Sequence, residues 1–311
     1  MKTVMIAGAA GFAGRHVAAE AARQGAALVL MSHRRTPDRP GAGPVRFVRA
    51  DLAQPDSLRG ACDGVDVLLH CASLIGGTPE DNHTVNARGT AALVAEARRA
   101  GVSRLVHLST ASVYGRGTFR GARPEELERS PGSPTSRTRA AAEDAVLAAG
   151  GIVLRPYLVY GRGDDWVVPG LTRLLRALPG GTSSWDARLS VLSVAELAAL
   201  MVGVGLAPAA RLSAPVYHAA LPAPVPASEL LRAVAGVAGL APTLPELSPA
   251  QARDLLREDP EASRALAMVT TDHWFDSTPI WTDLGRLAPG TAQDAHFPRM
   301  RAWYAEPAEC A

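Results

Sequence analysis

The chain has 311 residues, 47% of them hydrophobic, and a formal net charge of only +2. That is enough apolar material for one large domain with a smaller lobe, it excludes wholesale disorder, and the scattered basic residues argue against a nucleic-acid partner. No apolar run reaches the roughly 18 residues of a membrane span. Cys62, Cys71 and Cys310 lie far apart without metal-ligand spacing, so free thiols and no metal site are expected. Glycines break the N-terminal apolar run too early for a signal peptide, and the expected compartment is the cytoplasm.

Along the first half, short apolar runs alternate with helical patterns. Thr3–Ala7 reads as a buried strand and Gly14–Gln24 as a helix. Ala27–Met31 and Val45–Arg49 follow as strands, Ser57–Ala61 as a short helix and Val65–His70 as a fourth strand. Asn86–Ala100 is a predicted helix, Leu105–Leu108 a fifth strand, Thr138–Ala149 a helix and Ile152–Arg155 a sixth strand. Continuous apolar strands separated by helices predict an α/β fold. It is a doubly wound parallel sheet of the Rossmann type, covered by helices on both faces. After Gly161 the texture changes to Gly, Pro and Trp, with helical patterns at Leu171–Leu178, Val194–Val202 and Ser228–Ala238. Pro-rich joints fall at Pro222–Pro226 and Pro242–Pro249. The expected division is a first domain over 1–160 and a smaller lobe over 161–311, interleaved through a return of 191–220 to the sheet. There is no internal repeat.

Between the first strand and first helix lies Gly8-Ala9-Ala10-Gly11-Phe12-Ala13-Gly14. Glycines there permit a tight turn and close backbone approach to a pyrophosphate, and the helix N-terminus offers free N–H groups and a positive dipole end. Gly8, Ala10, Gly11, Phe12, Ala13 and Gly14 are therefore candidate cofactor contacts. The second strand ends Ser32-His33-Arg34-Arg35, with no acid where an NAD site would hold the ribose 2′-hydroxyl. Ser32, His33 and the two guanidinium groups suit a 2′-phosphate, so NADP(H) is expected.

The Gly-x-x-Gly-x-x-Gly spacing resembles that of extended short-chain dehydrogenases/reductases, the group of sugar-nucleotide epimerases, dehydratases and dihydroflavonol-type reductases. The resemblance recurs in order through Asp51-Leu52, His70-Cys71-Ala72-Ser73, Asn86 to Gly89-Thr90, and Leu108 to Gly115. It continues through Leu154-Arg155-Pro156 to Val159-Tyr160-Gly161, Val194 to Ala198, and Phe275-Asp276-Ser277 with Leu284-Gly285. It implies further cofactor contacts at Asp51, Leu52, Cys71, Ala72, Ser73, Asn86, Leu108, Arg139, Pro156 and Val159. Ser112, Tyr114 and Tyr157 are the implied substrate contacts. It also implies a catalytic Ser/Thr, a Tyr and a Lys, the last two four apart on one helix, with a Glu often four beyond. Counting back from Glu143, the lysine position holds Arg139 and the tyrosine position Thr135, while Thr110 stands at the Ser/Thr position.

A threonine hydroxyl is too weak an acid to protonate an alkoxide near neutral pH, and arginine stays charged. Three readings follow. The protein is a ketone reductase whose substrate supplies the proton from a neighbouring phenol; or another side chain (Tyr114, Tyr157, Tyr160 or His83) is the acid; or the chain is a non-catalytic NADP(H) sensor. Trp166, Trp185, Trp274, Trp281 and Trp303 in the second half suit either a flat aromatic ligand or an ordinary core. Arg173, Arg176 and Arg188 keep a nucleotide-sugar substrate open, as does a flavonoid-type one. The missing Tyr/Lys pair, the Ala/Arg/Gly/Pro-rich composition and the aromatic lobe resemble the actinomycete tailoring ketoreductases of aromatic polyketides, angucyclinones among them. That resemblance implies a small aromatic substrate and a role in antibiotic biosynthesis. The chain is expected to be a monomer or homodimer, and Gly115–Ser133 is read as a loop over the site.

Overall fold

The computed structural model describes residues 1–240, 246–286, 297 and 300–305. Its strands, in chain order, are β1 (Thr3–Ala7), β2 (Ala27–Ser32), β3 (Val45–Arg49), β4 (Val67–His70), β5 (Arg104–Leu108), β6 (Phe119–Ala122) and β7 (Ile152–Arg155). They continue as β8 (Leu158–Tyr160), β9 (Arg188–Leu189), β10 (Val191–Ser193), β11 (Val216–His218), β12 (Val225–Pro226) and β13 (His273–Phe275). The helices are α1 (Phe12–Arg23), α2 (Pro79–Asn82), α3 (Thr90–Arg99), α4 (Pro134–Ala148), α5 (Val167–Ala177) and α6 (Val194–Leu206). After them come α7 (Ala227–Val237), α8 (Pro249–Leu255), α9 (Pro260–Val269), α10 (Thr278–Asp283) and α11 (Met300–Ala305).

Seven strands form one all-parallel sheet in the order β11-β7-β5-β4-β1-β2-β3. Strand β1 is buried nearly along its whole length because helices cover both faces. Val4 and Ile6 join the core under α1 and α6, while Met5 and Ala7 join the opposite core beneath α3. Val17, Ala18 and Ala21 form the buried stripe of α1; full burial of an aliphatic side chain such as Val17 contributes about 1.5–3 kcal/mol. Strand β11 lies at one edge, so the chain returns to the large sheet after α6. The lobe adds a four-stranded sheet, β12-β9-β13-β6, and the pair β10-β8.

Helix α4 begins at Pro134, a full turn before the expected Thr138. A capping box between Ser133 and Ser136, with proline at the first helical position, nucleates it there. The expected helix from Asn86 is preceded by π-helical winding over His83–Gly89, and regular α geometry starts at Thr90. The Gly115–Ser133 segment is no simple loop: β6 within it pairs with β13 and belongs to the lobe sheet. The Pro222–Pro226 joint ends in β12. Half of the Pro242–Pro249 joint (242–245) and Cys310 lie outside the described residues. Among the described residues no helix is long and apolar enough to cross a membrane.

Candidate active site

The turn after β1 explains its glycines. Gly8 has φ +83° and lies so close to Ala72 that a Cβ would fall 2.7 Å from that backbone. A Cβ on Gly14 would stand 2.0 Å from the Gly8 carbonyl oxygen. The amides of Gly8 and Ala9 both donate to the Met31 carbonyl, at 3.0 and 3.1 Å, which ties the turn to β2. Gly11 caps α1 without a side chain, and no acid occupies the first turn. The amides at this helix start thus face no carboxylate and no capping oxygen, a combination that fits a bound pyrophosphate. Ala10, Phe12 and Ala13 complete this turn.

At the end of β2, Arg34 and Arg35 are exposed and no ion pair involves them among the described residues. His33 Nε2 lies 3.1 Å from Asp51 Oδ2, so two predicted contacts from separate strand ends meet. Leu52 packs against Gly89, where a Cβ would be 2.5 Å from the Leu52 oxygen. After β4, Cys71 N donates to Ala7 O at 2.9 Å. Burial pushes the Cys71 thiol up to about 12, so it is unionised. Asn86 is buried and spends its amide locally. It accepts from Leu74 N at 2.7 Å, donates to Leu74 O at 2.9 Å and reaches Thr138 at 3.2 Å. It shapes the Cys71–Leu74 turn from beneath.

Arg139 reaches from α4 to two strand ends. Its Nη1 donates to Ser73 Oγ at 2.9 Å and its Nη2 to the Leu108 carbonyl. Burial lowers its pKa to about 10, partly offset by the charge of Glu143, and the guanidinium remains charged at neutral pH. Thr110 Oγ1 accepts from Ser112 N and donates to Ser112 Oγ, both at 3.1 Å. The next residue, Ala111, donates to Pro156 O at 2.7 Å, which brings the β5 and β7 ends together. Thr135 sits half-buried in the first turn of α4. Val159 lies in β8, half-buried against the first core. The structure therefore gathers Ser73, Leu108 and Arg139 into one cluster, with Thr110, Ala111 and Pro156 in contact beside it.

The tyrosines proposed as substitute acids are poorly suited to that task. Tyr114 is 3% exposed. Its hydroxyl accepts from Arg155 Nη1 at 2.7 Å and lies 2.7 Å from His218 Nε2. His218 Nδ1 faces the Asp276 carbonyl, so Nδ1 carries the proton and Tyr114 donates to Nε2. Burial raises the Tyr114 pKa although Arg155 opposes it. Burial also raises Tyr157 and Tyr160, and the Tyr157 hydroxyl points to the Met268 carbonyl at 3.3 Å. His83 is exposed at the start of the π-helical turn, and Ser112 is exposed beside Thr110.

A model of the NAD dependent epimerase/dehydratase family matches residues 4–186, more than half the chain. The chain belongs to this family. It is 28% identical over 328 aligned positions to a 2-alkyl-3-oxoalkanoate reductase of Stenotrophomonas maltophilia, covering 96% of this chain and 98% of that one. It is also 28% identical over 181 positions to a 4-hydroxy-2-methyl-3-oxo-4-farnesyl-3,4-dihydroquinoline-1-oxide ketoreductase of Stigmatella aurantiaca, covering 55% of this chain and 54% of the relative. Among solved structures, the Bordetella bronchiseptica enzyme WbmH in complex with NAD+ superposes with a TM-score of 0.75 at 21% identity, over 99% of this chain and 100% of that one.

Several residues that the sequence left without a role of their own also come together. The ends of β4, β5, β7 and β11 carry His70, His107, Arg155 and His218 on the sheet face covered by α3 and α4. From α4, Glu143 is wholly buried and accepts from Ser109 Oγ, from Arg155 through Nε and Nη2, and from Arg129. The available signal was a polar residue at the last inward position of each buried strand. Two tryptophans prove to be core: Trp185 Nε1 donates to Leu247 O at 2.7 Å and Trp281 Nε1 to Ala220 O at 2.8 Å. Trp274 covers Gly121, Trp303 packs near Tyr160, and Trp166 is 62% exposed. Arg173 is paired with Asp259 and Glu261, and so is not a free phosphate ligand. A cavity of about 610 Å³ lined by α5, α7 and Tyr304 includes Arg173 and Arg176 but none of the candidate cofactor or catalytic residues, and the chemistry is not sited there.

Proposed function

We propose that the protein is an NADPH-dependent ketoreductase of the cytoplasm, acting on an aromatic, polyketide-type ketone of the angucyclinone kind in antibiotic biosynthesis. The observation that carries this reading is the combination of a fitting cofactor cradle with a proton site that has lost its acid. The names of the two reductase relatives support ketone reduction. The exposed Arg34 and Arg35, with Ser32 and His33 beside them, favour the 2′-phosphate form of the nicotinamide cofactor. When bound, that cofactor supplies the hydride.

The chain's residues hold and orient. The Gly8–Gly14 turn and the α1 N-terminus hold the pyrophosphate. Arg139 is a fixed cation between the Ser73 and Leu108 ends and cannot pass a proton. Thr110 and Ser112 present hydroxyls to a substrate carbonyl. With Thr135 too weak an acid and Tyr114, Tyr157 and Tyr160 made weaker by burial, the proton comes from the substrate. A phenol beside the ketone gives its proton to the forming alkoxide oxygen, and the phenolate left behind takes a proton from water. Positioning then carries the catalysis, and effects of this class reach roughly 7–11 kcal/mol.

The test is NADPH oxidation by the purified protein with a tetralone bearing a hydroxyl peri to its carbonyl, and with the methyl ether of that compound. Turnover of the phenol alone, with both compounds binding, is expected. Undiminished turnover of the ether would overturn the reading.

A further inference from the structure

His273 lies in β13, outside every motif discussed above. It is 8% exposed. Its ring stacks on Tyr157 with centroids 4.0 Å apart and planes at 21°. Phe119 meets it edge-on at 4.8 Å and Phe275 at 5.2 Å. This aromatic nest borders the site, because Tyr157 directly follows Pro156, whose carbonyl accepts from the Ala111 amide next to Thr110.

The two ring nitrogens differ in their surroundings. The backbone at Gly117, in the exposed segment after Tyr114, is placed to favour an N–H on the imidazole. Nε2 is buried without a hydrogen-bond partner among the described residues. With the Gly117 backbone favouring an N–H and Nε2 unpartnered, the proton is assigned to Nδ1, which leaves Nε2 as a bare acceptor. Burial lowers the His273 pKa to about 4, so the ring stays neutral and does not acquire a second N–H near neutral pH. A buried acceptor without a donor is costly, and most such groups in folded proteins are satisfied. The Tyr157 hydroxyl is engaged with Met268 O and does not supply the missing proton.

We propose that His273 Nε2 is a specificity acceptor for a hydroxyl on an aromatic substrate ring, away from the reacting carbonyl. The proposal rests on the reading that the site beside Thr110 takes an aromatic ketone. The nest supplies flat apolar walls for the ring, and the neutral nitrogen selects an O–H donor over an ether or an unsubstituted edge. Such a site discriminates by leaving its own acceptor unpaired when the wrong ligand enters. Phe119, half-buried and meeting the ring edge-on, follows the exposed Arg116–Thr118 segment.

The experiment compares binding of a naphthol and its methyl ether to the NADP-loaded protein, followed by naphthol fluorescence. The wild type is expected to bind the naphthol about tenfold more tightly, the value of one neutral hydrogen bond near 1.4 kcal/mol. His273→Phe keeps the ring stack on Tyr157 and should abolish the difference, with NADPH binding retained as the sign of an intact fold. A second reading needs no variant. In protein carrying nitrogen-15 histidine, Nε2 of His273 should resonate as an unbonded pyridine-type nitrogen and move upfield when naphthol, but not its ether, is added. Equal binding of the two probes by the wild type, a preference that survives in His273→Phe, or an unmoved Nε2 resonance would overturn the proposal. Because these measurements read binding, they stay distinct from the turnover test of the reductase reading.

Discussion

Lowering the pH from 7 to 5 should remove most of the stability of this protein, and four histidines are the reason. His70 and His218 have pKa values lowered by burial to about 3, His273 to about 4, and His107 well below the ordinary 6.5. His70 and His107 stack on adjacent strands with centroids 4.8 Å apart, so charging either would place a cation beside the other ring and near Arg139. The folded protein keeps all four neutral, whereas the unfolded chain protonates them below about 6.5. Their contribution is therefore complete above the unfolded value and is lost as pH falls toward 4. His70, His218 and His273 each lose about 2 kcal/mol between pH 7 and pH 5, roughly 6 kcal/mol for the three, and His107 adds to the loss in the same direction. That is comparable to the total stability of an ordinary domain, about 5–15 kcal/mol. Urea unfolding followed by tryptophan fluorescence at pH 7, 6 and 5 measures it directly. Near pH 5 the expected slope is about 4 kcal/mol per pH unit from the three, and His107→Leu should make the observed dependence shallower. A fall below about 2 kcal/mol across the whole interval, the share of a single histidine, would refute the buried-neutral assignment.

The remaining predictions concern single side chains. Glu143→Leu strands Arg155 in the interior and should cost about 3–5 kcal/mol in urea unfolding, while adding Arg155→Met should recover part of that loss; a cost below about 1 kcal/mol would mean that the pair is hydrated. Tyr114→Phe leaves Arg155 Nη1 and His218 Nε2 without their partner and should lower stability by about 2–3 kcal/mol. It should not change the pH dependence of turnover, and a moved profile would return Tyr114 to the role of acid. Arg34→Ala with Arg35→Ala should weaken NADPH binding about tenfold or more and leave NADH binding unchanged, as measured by fluorescence titration. Thr135→Tyr combined with Arg139→Lys should allow turnover of the peri-methoxy ketone, because it supplies the missing acid, a contribution of about 10²–10⁴ in rate; continued silence would show that position alone does not make the tyrosine an acid.

Much of the frame was legible because it rests on local rules. Gly8 and Gly14 were readable as a phosphate turn since only the smallest residue tolerates a positive φ or a neighbour 2.0 Å from its Cβ position. Strands β1, β2, β4, β5 and β7 were readable because a parallel sheet covered on both faces demands apolar runs without alternation. The helical pattern places the start of α4 at Thr138, four residues late, because Thr and Ser at 135–138 obscure its periodicity, and the Ser133 cap and the first-turn proline set it instead. Strand β6 was missed for a different reason. Phe119–Ala122 has no strand pattern of its own and is held by pairing with β13, more than 150 residues later.

The same distinction explains which parts of the site were visible. Arg139 could be located by counting along α4, but not its engagement with Ser73 on one strand end and Leu108 on another, which requires the sheet to bring β4 beside β5. That engagement changes how the substitution reads. A lysine at this position would have one compact, mobile cation, whereas the planar guanidinium spans two strand ends at once and gains rigidity where it cannot move a proton. His273 was silent in the sequence because a lone histidine in an irregular region has no pattern. It acquires meaning only when β13 lays it against Tyr157. Under the proposed reading, Thr135 and His273 bear on two different hydroxyls of one ligand. The phenol beside the ketone gives the proton that Thr135 cannot, and the acceptor at His273 holds the ring by a second hydroxyl away from the carbonyl, so proton supply and selection fall to separate groups.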